Sequence, residues 1–434
     1  MSDVRHYTRM GIGFDFGTTN SSIAMATQAG DVKLANFATA SGFTESYRSL
    51  LYLQRLQQVG RVTIQSWSGP QGIEHYLNAD DEKGRLVQSL KSFLASRGLQ
   101  STEVFGRRIL LEELVARILA DIREQAEEQF RVPVREAVVG RPVRFVGAHK
   151  PEDDEYAAQR LQEALHKAGF ERVRFEYEPL AAAYFYESSL DHDELILIGD
   201  FGGGTSDFSL LRVGPRYRGR EAARNVLGNE GLGLAGDAFD AKIVRHLVSP
   251  ELGARTQLRS GDKLLPVPAW VYHKLERWHH LSLLKTQETL NMLQSVARQA
   301  LEPEKIEHFL YLIRHDLGYH LHRAVQRVKV ELSEREKSVF RFADGDVELS
   351  AEVSRAEFEE WIADELRAIK RSVDALLAKA RVEAREVDRV FLTGGSSFVP
   401  AVRRIFEARF GAEKIRGGDE FTSVASGLAL RSLE

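Results

Sequence analysis

The sequence predicts an α/β protein of two similar lobes, each a mixed sheet flanked by helices. Three observations carry that expectation. Apolar strand patterns alternate with helical ones along most of the chain. Two Gly-rich hairpins, one around Asp15 and one around Asp200, share Asp-Phe-Gly followed closely by Thr. Their separation is far too long for a solenoid repeat and suits two lobes that open alike. The length of 434 residues, 43% of them hydrophobic, allows two or three folded units.

The first hairpin is Gly11-Ile12-Gly13-Phe14-Asp15-Phe16-Gly17-Thr18-Thr19-Asn20-Ser21-Ser22-Ile23-Ala24, read as strand, tight polar turn, strand. Leu111, Leu114, Val115, Ile118, Leu119 and Ile122 then fall at helical spacing, so 110–130 is expected as an amphipathic helix. Val132–Gly140 reads as a strand introduced by a proline. The second hairpin runs from Leu195 to Leu211 through Asp200-Phe201-Gly202-Gly203-Gly204-Thr205-Ser206-Asp207. Ser354-Arg355-Ala356-Glu357 is a capping box opening a helix to about Lys379. A strand at Val390–Thr393 leads into Gly394-Gly395-Ser396-Ser397, then a helix with Val399, Val402, Ile405 and Phe406 inward. The stretch 250–325 differs, with Trp270, Trp278 and seven of the 13 histidines (His273, His279, His280, His308, His315, His320, His322). No pair sits in a metal-ligand motif, so a helical insertion with half-exposed histidines is the expectation.

Composition excludes several classes. Absence of cysteine rules out disulfides, thiolate zinc sites and cysteine nucleophiles. With 59 Lys+Arg against 63 Asp+Glu, the net charge of −4 argues against a nucleic-acid partner. The start Met1-Ser2-Asp3-Val4-Arg5-His6 lacks the apolar core of a signal peptide, and no run approaches a membrane span. A cytoplasmic protein with no membrane partner is expected.

Four motifs mislead. Asp-Phe-Gly belongs to the protein-kinase signature, but His-Arg-Asp, Ala-Pro-Glu and Val-Ala-Ile-Lys are absent. Gly231-Leu232-Gly233-Leu234-Ala235-Gly236 is a literal G-x-G-x-x-G with no clear strand before it. Gly-Lys, which a Walker loop needs, never occurs, and neither does a G-x-S-x-G elbow. The hairpin turns are better explained as phosphate cradles: Gly, Thr and Ser expose backbone N–H groups and short hydroxyls. Asp15, Asp200 and Asp207 beside them would repel phosphate unless a cation intervened, and Mg²⁺ suits that place.

These residues resemble the DnaK-type 70-kilodalton heat-shock chaperone family, whose fold is shared with actin and hexokinase. The two hairpins are similar to its two phosphate motifs. Glu178-Pro179-Leu180-Ala181-Ala182-Ala183 resembles its Glu-Pro-Thr-Ala-Ala-Ala segment, and Val353–Glu360 the helix opening of its second lobe. Phe391-Leu392-Thr393-Gly394-Gly395-Ser396-Ser397-Phe398-Val399-Pro400 resembles its adenosine motif.

The resemblance implies an actin-like ATPase fold with nucleotide in the cleft between lobes. Lobe I would be 1–188, with a small subdomain at 39–107, completed by 415–434. Lobe II would be 189–414, with a small subdomain at 229–352 carrying the insertion at about 250–325. It further implies ATP or ADP and Mg²⁺ as cofactors, with Asp15 and Asp200 holding the metal through water. Gly17, Thr18, Thr19 and Asn20 would wrap the phosphates from one side, and Gly202, Gly203, Gly204 and Thr205 from the other. Lys91 matches the catalytic lysine, Glu178 and Asp207 would orient the water or take its proton, and Asp200 and Thr205 complete the catalytic set. Pro142 matches a proline that switches between nucleotide states. The adenosine side would comprise Gln326, Lys329, Val330, Ser333, Gly394, Gly395, Ser396 and Phe398. There the sequence departs from the family: Val330 and Phe398 stand at the two arginine positions of the adenine clamp, and Gln326 replaces an acid.

The sequence stops soon after Val424–Leu430, so the peptide-binding domain is expected to be missing, as in the short YegD-like branch. The function implied is a slow Mg²⁺-ATPase whose lobe closure controls a protein partner of unknown identity. A non-hydrolysing nucleotide-gated scaffold and a small-molecule kinase on the same fold are the alternatives.

Overall fold

The computed structural model describes residues 10–39, 42–58, 61–77, 84–187, 190–217, 225–277, 284–417 and 423–434. Met1–His6, Trp278, His279 and His280 lie outside the described residues. Two mixed sheets dominate. In the first, the order is Arg172–Tyr177, Glu136–Arg141, Met10–Phe16, Asn20–Thr27 and Val32–Leu34, with Tyr47–Arg48 also paired to Asn20–Thr27. In the second it is Ile415–Gly417, Arg389–Thr393, Glu194–Phe201, Ser206–Val213 and Val226–Leu232. Each sheet is an antiparallel three-strand unit extended on one side by two parallel strands. The parallel strands arrive through helical crossovers, as parallel pairing requires. The register is equivalent as well: Asp15 faces Ser22 across the first hairpin, and Asp200 faces Asp207 across the second.

The helix Leu111–Phe130 buries the expected apolar stripe on the first sheet beside Pro151–Lys167. Pro at the start of Pro151–Lys167 and three acids in its first turn (Glu152, Asp153, Asp154) fit a helix N-terminus. Ala363–Ala380 and Pro400–Phe410 cover the second sheet, with Val399, Val402 and Phe406 buried and Ile405 packed at the margin. The Ser354 capping box forms, but its helix, Arg355–Trp361, breaks at Ile362 before resuming as Ala363–Ala380.

Three sequence expectations need correction. The strand expected from Val132 begins at Glu136, because Arg131 ends the preceding helix in a left-handed conformation (φ 57°) and the Val134 N–H donates to Glu127. Segment 415–434 is divided: Ile415–Gly417 extends the second sheet, while the helix Ser423–Arg431 lies across the first. Gly13 permits that approach, since a Cβ there would sit 2.1 Å from the Ala429 nitrogen. In 250–325, helices Ala269–Leu275, Gln287–Gln299 and Pro303–Arg314 are accompanied by a hairpin of Gln257–Ser260 and Lys263–Pro266. His322 there is buried rather than half-exposed. Among the described residues, no helix is long and apolar enough to cross a membrane.

Candidate functional site

The two hairpin turns meet. A Cβ on Gly203 would come within 2.6 Å of the Thr19 hydroxyl, so only glycine lets the second turn approach the first. Between them lies a cavity of about 290 Å³. Of the residues singled out in the sequence, Asp15, Gly17, Thr18, Thr19 and Asn20 line it from the first sheet. Asp200, Gly202, Gly203 and Thr205 line it from the second, and Lys91 and Glu178 line its wall. Gln326, Lys329, Val330, Gly394, Gly395 and Ser396 line the far end. Gly204, Asp207, Ser333 and Phe398 are not on the wall. The Ser333 hydroxyl donates to the Lys329 carbonyl one helical turn back (3.1 Å). Phe398 is 58% exposed and Val330 56%, leaving both apolar side chains open to solvent.

Charge is concentrated in the interior. The Lys91 ammonium donates to Glu178 Oε1 at 2.7 Å, both groups buried. Lys91 sits on a short 3₁₀ turn, Leu90–Phe93, and Glu178 is the first residue of the helix Glu178–Glu187. Burial alone would lower the Lys91 pKa, but Glu178, Asp15 and Asp207 outweigh it and the net shift is upward. Asp15 and Asp207 are held well above the usual carboxylate range, by burial first and Glu178 second. Burial and Glu178 likewise push Asp200 up to about 6, against a hydrogen bond from the Thr393 hydroxyl (2.8 Å). Four carboxyls thus face one ammonium, an excess of negative charge that low-dielectric surroundings make costly without a further cation.

Asp207 also ties the two sheets together. Its Oδ1 accepts the backbone N–H groups of Val143 (2.8 Å) and Arg144 (3.2 Å), directly after Pro142. The acid is therefore oriented by the other lobe's backbone, behind the cavity wall rather than on it.

Seven wall residues were not among the site residues expected from the sequence: Ser21, Ser46, Arg48, Phe201, Gly236, Asp237 and Val424. Gly236 is the last glycine of the dismissed G-x-G-x-x-G and Asp237 follows it, and here the structure corrects the reading. A strand, Val226–Leu232, does lead into that motif, and a helix, Gly236–Ile243, opens on its last glycine. The strand is an antiparallel edge, so this is no dinucleotide fold, but the Asp237 N–H bonds the Gly203 carbonyl (2.8 Å) and fixes the second turn. Arg48 reaches both Asn20 Oδ1 and Gln326 Oε1 at 3.4 Å, spanning the cleft, while Lys329 pairs with Asp240 at 2.6 Å. A lone arginine on a two-residue strand gives no sequence signal.

Comparison with known proteins agrees with this geometry. The family model described as Hsp70 protein matches residues 78–260 and 314–432. The chain belongs to the Hsp70 family. The actin-like ATPase fold expected from the sequence is therefore its fold, with the duplicated sheets as the two lobes. Chaperone protein DnaK of Thermosipho africanus (strain TCF52B) is 25% identical over 430 residues, 97% of this chain. Chaperone protein DnaK of Thermosipho melanesiensis (strain DSM 12029 / CIP 104789 / BI429) is 24% identical over 442 aligned positions, covering 100% of it. The chain spans 58% and 60% of the lengths of those two proteins. The unmatched interval between the two Hsp70 segments falls within the 250–325 insertion.

Proposed function

We propose that the chain binds ATP with Mg²⁺ in this cleft and slowly hydrolyses it to ADP and phosphate. Lobe closure on the nucleotide would then alter an outer surface read by a protein partner. One observation carries the reading: two Gly/Thr turns, one from each duplicated sheet, close on a cavity where Asp15, Glu178 and Asp200 on the wall, with Asp207 just behind it, surround the Lys91 ammonium. The donor set suits a hydrated divalent cation. Among the described residues no three acidic or histidine side chains converge as a direct metal site, so Asp15 and Asp200 would hold Mg²⁺ through its waters. When bound, Mg²⁺ would neutralise phosphate oxygens.

The chain's own groups supply the rest. Gly17, Thr18, Thr19 and Asn20 offer N–H and hydroxyl donors to the terminal phosphates, and Gly202, Gly203, Gly204 and Thr205 offer them from the opposite side. Lys91 would donate to the γ-phosphate and hold the attacking water in line. Glu178, on the wall, would orient that water and take its proton, and Asp207 would act on the same step from behind the wall. Gln326, Lys329, Val330, Gly394, Gly395 and Ser396 would form the adenosine end, where Val330 offers an apolar face to the base, while Ser333 and Phe398 lie off the wall. Phosphoryl transfer is mostly positioning and charge stabilisation, which this arrangement can provide.

The test is single-turnover ATP hydrolysis with Mg²⁺, parent against Lys91→Ala. A phosphate burst in the parent, slowed about 10²- to 10³-fold in the variant, is expected. No burst in the parent, with ATP still bound, would leave the gated scaffold in its place.

A further inference from the structure

The Lys91 turn is weakly built. Leu90–Phe93 is one 3₁₀ turn, closed by i→i+3 bonds from Ser92 to Ser89 (3.0 Å) and from Leu94 to Lys91 (3.2 Å). Such bonds are poorer than α-helical ones. Ser89, which enters the turn, is buried and left-handed at φ 54°, a conformation a non-glycine residue keeps only when its surroundings impose it. Past the turn, the chain runs irregularly to Gln100, and its buried carbonyls need donors.

One side chain supplies them. Arg160, in the middle of the helix Pro151–Lys167, is 4% exposed. Its Nη1 donates to the carbonyls of Phe93 (3.3 Å), Leu94 (3.1 Å) and Ser96 (3.2 Å), and its Nη2 to that of Leu99 (3.2 Å). Its Nε is ion-paired with Glu112, in the first turn of Leu111–Phe130 and itself buried. A buried ion pair is a poor device for stability alone, since apolar residues of like volume often serve as well. A planar guanidinium with five donors in a rigid fork is, however, well suited to fixing several carbonyls at once.

We propose that Arg160, braced by Glu112, is the positioning residue for Lys91. It grips the C-terminal side of the 3₁₀ turn and so holds the ammonium against Glu178 at the cavity wall. Neither side chain lines the cavity or touches Lys91. The proposal rests on Lys91 meeting the phosphate, and two readouts separate the two ideas.

The test pairs the volume-conserving double variant Glu112→Leu/Arg160→Met with Arg160→Lys. Each is assayed for MgADP affinity by calorimetry and for single-turnover hydrolysis. The accessibility of Lys91 is followed by reductive methylation with formaldehyde and cyanoborohydride, read by mass spectrometry. The double variant should bind MgADP within about threefold of the parent while hydrolysis slows about 10- to 100-fold, the cost of misplacing a reacting group by about an ångström. Lys91, protected in the parent, should be methylated about tenfold faster, and Arg160→Lys should fall between. Unchanged Lys91 labelling in the double variant overturns the proposal, as does a loss of MgADP affinity as large as the loss of rate. A parent that does not hydrolyse ATP, with labelling still released in the variant, would remove the ATPase reading and leave the positioning role standing. Should the double variant fail to fold, Arg160→Lys decides by the same labelling and affinity measurements.

Discussion

The two sheets share strand order, pairing direction and hairpin register, yet the same position on the second strand holds Ser22 in one and Asp207 in the other. Asp15 and Asp200, their partners across the hairpins, are alike in residue and in burial. Symmetry therefore builds the cradle, with one acid and one Gly/Thr turn from each side. The chemistry comes from what breaks it. Only the first lobe adds Lys91 and Glu178, and only the second adds a further acid, gripped by backbone N–H groups from across the interface.

The largest effect follows from removing the asymmetric cation. Lys91→Ala leaves Glu178 buried beside Asp15, Asp200 and Asp207 without its ammonium. Chemical denaturation of the nucleotide-free variant should show a loss of about 3 kcal/mol or more. Parent-like stability would mean that the four carboxyls already share protons. The next effect concerns the symmetric pair. Asp200 keeps its proton when folded up to about pH 6, whereas its ordinary value is 3.8. Between those values the folded state binds more protons than the unfolded one, so this group's contribution makes stability fall as pH rises. Above about pH 6 the loss is complete, on the order of 3 kcal/mol. Asp200→Asn should therefore stabilise the nucleotide-free protein at pH 7 and flatten its melting temperature between about pH 4 and 6; an unchanged slope would contradict this.

Making the two hairpins alike is the third test. Asp207→Ser reproduces the Asp15–Ser22 pairing in the second lobe and removes the acceptor for Val143 and Arg144. Hydrolysis should slow about a hundredfold, the range of a lost proton acceptor, with nucleotide affinity within about threefold. An equal drop in affinity would make Asp207 part of the cradle instead. The smallest effect lies at the base. On the proposed binding mode, Val330→Arg puts a cation over the adenine, and cation–π attraction of about 0.5–2 kcal/mol should tighten ATP binding between about two- and thirtyfold in calorimetry. Tightening GTP as much as ATP would show that Val330 does not face the base.

Legibility in the sequence followed distance along the chain. The hairpins were readable because strand, turn and acid all lie within about a dozen neighbouring residues, and the helix Leu111–Phe130 because its stripe repeats locally. Lys91 and Glu178 were singled out by resemblance, but their contact was not readable, since it is made by packing alone. Arg48, Asp237 and the Arg160–Glu112 brace were invisible for the same reason: each is an ordinary charged residue until distant elements surround it. Phe398 and Ser333 illustrate the converse. A motif match fixed their positions along the chain but not the direction of their side chains. The discarded G-x-G-x-x-G failed on context, because Val226–Leu232 is a partly buried edge strand with two glycines and little apolar alternation.

The helix Ser423–Arg431, lying on Gly11 and Gly13, has a consequence for synthesis. As the chain leaves the ribosome, strand Met10–Phe16 emerges early, but the helix that covers it emerges more than four hundred residues later. The second lobe has all five of its strands once Ile415–Gly417 has been made, whereas the first must wait with one face of its hairpin bare. The sheet whose hairpin comes first in the chain is thus completed after the second, and the cavity wall, to which Val424 belongs, is not whole until Ser423–Arg431 has been made.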